Sequence, residues 1–165
     1  MDKQVAEVMR AMVAYDHGDA RRIQHFIKVH DLAATIGVSE GLNAPILFTL
    51  EVAAILHDIG IHAAEQKYGN CNGKAQEELG PAEAEHLFAQ VGGFTEAQRE
   101  RVCWLIAHHH TYDPITDMDH RILVEADFLV NAYEDHLTEE AIRTFRDKVF
   151  RTKTGKELLS QMFQV

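Results

Sequence analysis

Leu50-Glu51-Val52-Ala53-Ala54-Ile55-Leu56-His57-Asp58-Ile59-Gly60 is the stretch on which the reading of this chain turns. Wound at helical period, its first seven residues are apolar nearly all round, so a helix from Asn43 or Ala44 to Leu56 is predicted at the centre of the core. That helix ends on an imidazole and a carboxylate side by side. Burying a carboxylate costs several kcal/mol unless something positive meets it, and a metal ion is one such partner. Neighbours on a regular helix stand about 100° apart. His57 and Asp58 can therefore share an ion only at a distorted helix end, and Gly60 is expected to supply the distortion.

Working outward, nearly every other segment shows helical rather than strand period. Val5, Val8, Met9, Met12 and Val13 form one stripe ending near Asp16-His17-Gly18. A second helix is predicted over Ala20–Ile36 and stopped by Gly37. On its wheel His25 falls between Val29 and Leu32, pointing inward, opposite the polar stripe Gln24, Lys28, Asp31 and Thr35. Beyond the His-Asp pair come a short helical piece over His62–Lys67 and a loop at Tyr68–Lys74, rich in turn formers and beside the site. Pro81 suits the first turn of a helix reaching Gln90 and ended by Gly92-Gly93. Thr95 caps a helix through about His109. Another runs from Asp117 or Asp119 to about Glu134 and carries Asp127, flanked on its wheel by Leu123, Val124 and Val130. Amphipathic segments at Thr138–Arg151 and Thr154–Phe163 close the chain and could cover the core or a partner. The expected fold is all-α: a single-domain helical bundle over 1–165, its motif-bearing core at about 20–135 and its C-terminal helices at 138–163.

Twenty-six acids against 16 Lys plus Arg give a formal charge of −10, which disfavours long nucleic acids, since these bind through many phosphate contacts from clustered cations. A small phosphorylated substrate remains compatible, because one divalent ion and a few basic groups reverse the field locally. No run of 18 apolar residues spans a bilayer, and Met1-Asp2-Lys3-Gln4 does not begin a secretory signal. Cys71 and Cys103 form no CxxC. A cytoplasmic protein that binds no membrane is expected, with its oligomeric state open.

Eleven histidines are many for 165 residues. His25, His57, Asp58 and Asp127 together make two imidazoles and two carboxylates. That mixed shell suits one divalent transition metal ion, Mn, Fe, Co, Ni or Zn, rather than an all-oxygen calcium site. Taken singly, His25 also reads as a hydrogen-bonded core histidine, His30 as the rival ligand on the same helix, and Asp127 as a buried capping or salt-bridged carboxylate. The order His … His-Asp … Asp favours the metal site.

These residues resemble the HD-domain superfamily of metal-dependent phosphohydrolases, and in particular small stand-alone bacterial members. His25, Val29 and Ala33 match its His-x-x-x-Val-x-x-x-Ala pattern, Leu56–Gly60 its Leu-His-Asp-Ile-Gly, and Ala126-Asp127-Phe128-Leu129 its Ala-Asp-x-Leu. The resemblance implies His25, His57, Asp58 and Asp127 as metal ligands, with Asp58 also at the reacting water. Binuclear members carry a further histidine four residues before a glycine on the next helix. Here that position, counted back from Gly80, is Gln76, so one metal is expected. Within His108-His109-His110, His108 and His109 are the candidate catalytic residues ahead of His110; a helix end is the alternative reading of the triplet. Some mononuclear relatives use an acid just after the pair, which makes Glu65 the candidate proton carrier, with Glu77 or Glu78 as substitutes. Arg22 and Lys74 are candidates to clamp a phosphate. The implied activity is hydrolysis of a small phosphate ester, possibly a nucleotide, by metal-activated water. The alternatives are a non-catalytic metal- or ligand-binding regulatory domain and, against the glutamine at 76, a di-iron oxygenase.

Overall fold

Side-chain caps set the helix starts. Asp2, Asp19, Asn43, Asn72, Thr95, Thr138 and Thr152 each accept a hydrogen bond from a backbone N–H in the first turn that follows. At Thr95 the bond is reciprocal, with Gln98 reaching back to the Thr95 N–H. The computed structural model describes residues 1–165, as nine helices without a strand: α1 (Lys3–Tyr15), α2 (Ala20–Ser39), α3 (Ala44–Leu56), α4 (Ile61–Tyr68), α5 (Gly73–Val91), α6 (Glu96–His108), α7 (Met118–Glu134), α8 (Glu139–Val149) and α9 (Lys153–Phe163).

As expected from its composition, α3 is the central helix. Leu50, Val52, Ala53, Ala54, Ile55 and Leu56 have no exposed surface, and α1, α2, α6 and α7 pack around them. No single helix is long and apolar enough to cross a membrane; α3 and α4 reach that composition only as a pair bent by 41°, and α3 is core. The C-terminal segments cover this same core. Leu159 of α9 is buried, and the wholly buried Glu125 of α7 accepts the N–H groups of Arg151 (2.7 Å) and Thr152 (3.1 Å), tying the start of α9 to the bundle.

Three expectations are corrected. Gly37 does not stop α2, which continues to Ser39; a Cβ there would stand 2.9 Å from Leu47 Cδ1, so the glycine lets α2 lie close to α3. Pro81 lies inside α5 instead of opening it. The helix survives a missing N–H because both halves are anchored, by Ala75, Gln76 and Gly80 before the proline and Ala84, Leu87 and Phe88 after it; packing outweighs local propensity. Gly60, finally, has ordinary right-handed dihedrals (φ −77°, ψ −4°). The distortion next to the His-Asp pair is a tightened turn, in which Ile59 N–H donates to Leu56 O and Ile61 N–H to Asp58 O, three residues back in each case. Gly60 serves a different purpose: it admits the backbone of Gly80 from α5.

Candidate metal centre

Because α3 is pinned on all sides, its C-terminal turn is a fixed platform, and His57 at its C-cap has no exposed surface. From there α2 supplies His25 and α7 supplies Asp127, both buried. His25 Nε2 lies 3.2 Å from His57 Nε2, 3.3 Å from Asp127 Oδ1 and 3.6 Å from Asp58 Oδ2. His57 Nε2 lies 3.4 Å from Asp127 Oδ1 and 3.6 Å from Asp58 Oδ2. For metal–ligand bonds of about 2.1 Å, neighbouring donors stand roughly 3.0–3.4 Å apart. The observed spacings fit donors gathered around one small cation.

The remaining ring nitrogens support that reading. His57 Nδ1 donates to Ala54 O (2.8 Å) and His25 Nδ1 to Glu134 Oε2 (2.9 Å), which turns Nε2 of each ring toward the cluster, where its lone pair is available to an ion once the proton is displaced. Lys28 pairs with the other Glu134 oxygen, and Asn131 donates to Asp127 Oδ1 (2.9 Å). Neither Glu134 nor Asn131 emerged from the sequence, although they follow Asp127 at helical offsets of seven and four. Glu134→Gln should weaken divalent-metal binding about 10- to 100-fold, the usual cost of losing an outer partner. Chelator competition would measure it, and unchanged affinity would mean that Glu134 does not orient the ligand.

Charge in the cluster is strongly coupled. Burial pushes His25 down, but the Asp127 carboxylate, then Asp58 and Glu134, outweigh it and raise His25 to about 9. His57 is also raised: burial opposes this, and the Asp58 and Asp127 carboxylates prevail. Burial would raise Asp58 and Asp127, yet the facing imidazoles hold both below the usual carboxylate range. In metal-free protein, protons therefore compensate the carboxylates that a cation would otherwise meet. The His25 contribution to metal-free stability should be complete below pH 6.5, its ordinary value, and lost as pH rises through about 9. With a divalent ion bound His25 is already deprotonated, so this loss should vanish. Urea unfolding across that window, with chelator and with metal, measures the difference; identical profiles would contradict it.

The other sequence candidates divide. His109 faces the site: Nδ1 donates to Ile106 O (2.7 Å) and Nε2 lies 3.0 Å from Asp58 Oδ1. His110 belongs there too, since Asp58, His109 and His110 bring ligand atoms within 4.8 Å of one another. His110 Nε2, however, donates to Gln76 Oε1 (2.7 Å), whose orientation is fixed because Gln76 Nε2 donates to Cys71 O (2.7 Å). The expected order is thus corrected: His108 turns away, stacked on Trp104 with centroids 4.1 Å apart and its Nδ1 on Trp104 O. It sits one residue too early on α6 to face Asp58. His30 is tied to Glu51 (3.0 Å) and is not a ligand. Glu65 lies beside His62 (3.5 Å), Glu77 accepts the His110 N–H (3.0 Å) and Glu78 the Tyr68 hydroxyl (2.6 Å). Lys74 is exposed in the first turn of α5, and the structure gives it no contact with the ligands. Arg22 does line the mouth, a cleft of about 210 Å³ shared with Arg21, His25, Asp58, Asn131, Glu134 and Asp135.

An all-helical bundle that directs two histidines and two aspartates from three of its segments to one point defines a class of His/Asp metal-site proteins. The family model described as "HD domain" matches residues 22–149, a span that holds all four donors. The chain belongs to the HD-domain family. It is also similar to the crystal structure of a predicted HD superfamily hydrolase from an uncultured Thermotogales bacterium, with 25% identity and a TM-score of 0.68 over 96% of this chain and 84% of that one. Among curated proteins nothing matches.

Proposed function

We propose that the chain is a metal-dependent phosphohydrolase acting on a small phosphate ester, with one divalent transition metal ion held by His25, His57, Asp58 and Asp127. The observation that carries this reading is the convergence of four donors, three of them buried and Asp58 nearly so, with Nε2 of both imidazoles turned inward. The structural relative is itself described as a predicted hydrolase, which supports the general class. A bound ion would act as a Lewis acid, polarising the phosphoryl group and lowering the pKa of water.

The chain's own residues do the rest. Arg22 and Arg21 face the mouth of the cleft and neutralise charge on the phosphoryl oxygens. Asp58, with its second oxygen toward His109, sits where a proton can leave the attacking water. His109, with Nδ1 on Ile106 O and Nε2 beside Asp58 Oδ1, is the side chain that delivers a proton to the departing oxygen. In the net reaction water adds to phosphorus, the P–O bond to the leaving group breaks, and the released alkoxide takes up a proton. Gln76 on His110 favours one ion over the binuclear and oxygenase alternatives, since that His110 nitrogen is engaged as a donor.

Phosphate release from a panel of monoesters and diesters, with Mn, Fe, Co, Ni or Zn in turn, tests the proposal. Hydrolysis that stops with chelator is expected. Arg22→Ala should raise KM about tenfold, within the range for a charged hydrogen bond. Failure to cleave any ester with metal demonstrably bound would overturn the reading and leave a metal-binding regulatory domain.

A further inference from the structure

The cleft beside the metal donors is small and has no apolar wall. At about 210 Å³ it accommodates a phosphoryl group and little of what that group is attached to. A larger groove of about 820 Å³ lies between α8 and the segment after α6, and side-chain contacts link its wall to the metal donors. His110, clustered with Asp58, has its Nδ1 3.4 Å from the Tyr112 hydroxyl. The Tyr112 ring then forms one wall of the groove and meets Phe145 edge-on, with centroids 5.3 Å apart. Phe145 stacks flat on Phe128 at 3.8 Å, and Phe128 follows the ligand Asp127 directly in sequence. A chain of aromatic contacts thus runs from Tyr112, beside His110, through Phe145 to Phe128 on α7.

The rim defines what the groove accepts. Asp113 and Glu140 present carboxylates, Thr138 and Thr144 hydroxyls, and Lys148 a single ammonium. Two acids against one cation disfavour an anionic occupant, while flat rings gain from edge-on and stacked contact with Tyr and Phe. We propose that this groove is the leaving-group subsite and that it receives an uncharged, planar aromatic group whose hydrogen-bond donors meet the acidic rim. The inference rests on the phosphohydrolase reading for the placement of the phosphate, but the groove can be tested without turnover.

The experiment compares binding of phenylphosphonate and methylphosphonate, neither of which is hydrolysed, to the metal-loaded full-length protein by calorimetry. It then repeats the comparison with Ala141→Trp, an exposed substitution that fills the groove from α8 without opening a core cavity, and with Phe145→Ala. Phenylphosphonate is expected to bind roughly 10-fold tighter than methylphosphonate, within what an aromatic contact contributes. Ala141→Trp should abolish that preference and leave methylphosphonate binding unchanged. Equal affinities, a preference insensitive to Ala141→Trp, or binding of neither compound would overturn the proposal. In parallel, kcat and KM for phenyl phosphate and glycerol phosphate separate the two claims. Hydrolysis of both esters without a groove-dependent preference sinks the subsite and keeps the phosphohydrolase. A groove-dependent preference with no hydrolysis keeps an aromatic-ligand site and sinks the phosphohydrolase.

Discussion

Asp58→Ala should lose bound metal and hydrolytic activity together while keeping its helical circular dichroism. Asp58 is the residue at which both clusters meet: one oxygen lies 3.6 Å from His25 and His57, the other 3.0 Å from His109. Removing it takes away a charged donor from the metal and leaves three imidazoles facing a gap. The fall in activity should exceed the ~10- to 100-fold that loss of an outer partner costs. Since Asp58 sits in a turn after the core helix and contributes little apolar contact, the fold should persist. A variant that retained metal and more than about a tenth of wild-type activity would show that the remaining donors suffice.

Gly60→Ala should be strongly destabilising. A Cβ at Gly60 would stand 2.6 Å from Gly80 N, 2.8 Å from Gly80 Cα and 3.1 Å from Gln76 O. All three are backbone atoms, so no side-chain rotation relieves the clash. Overpacking typically costs about 1–3 kcal/mol, and an immovable helix on the far side places this case at or above the upper end. For a chain of this length that corresponds to a melting temperature lower by roughly 6–12 °C. Metal affinity should fall as well, because the turn that carries His57 and Asp58 must shift to make room. A melting temperature for Gly60→Ala within about 2 °C of wild type would refute the close approach of α4 and α5.

The same glycine shows how far the sequence could be read. Apolar periodicity located α3 and its cap Asn43, and the inward positions of His25 and Asp127 followed from helical wheels, because one-dimensional spacing determines which face of a helix a residue occupies. Spacing does not show what lies across from that face. Gly60 and Gly37 read as chain breakers, yet each is small because another element comes within van der Waals contact, a fact of packing between segments. Pro81 read as a helix start for the same reason: the contacts that carry α5 through it come from elsewhere in the chain. Within His108-His109-His110 a rotation of one residue decides which ring meets Asp58. That phase is set by how α6 lies against α3, and nothing local to the triplet encodes it. Glu134 was legible in principle, two turns after Asp127 on the same helix, but only once His25 was known to lie opposite.

Metal content per chain, measured on untagged protein after reconstitution with a divalent transition metal and removal of excess, tests the central claim most directly. About one equivalent, released when His25, His57, Asp58 or Asp127 is replaced by alanine, is the expected result. Absence of bound metal under those conditions, or full occupancy in all four variants, would contradict the assignment of these residues as the metal centre.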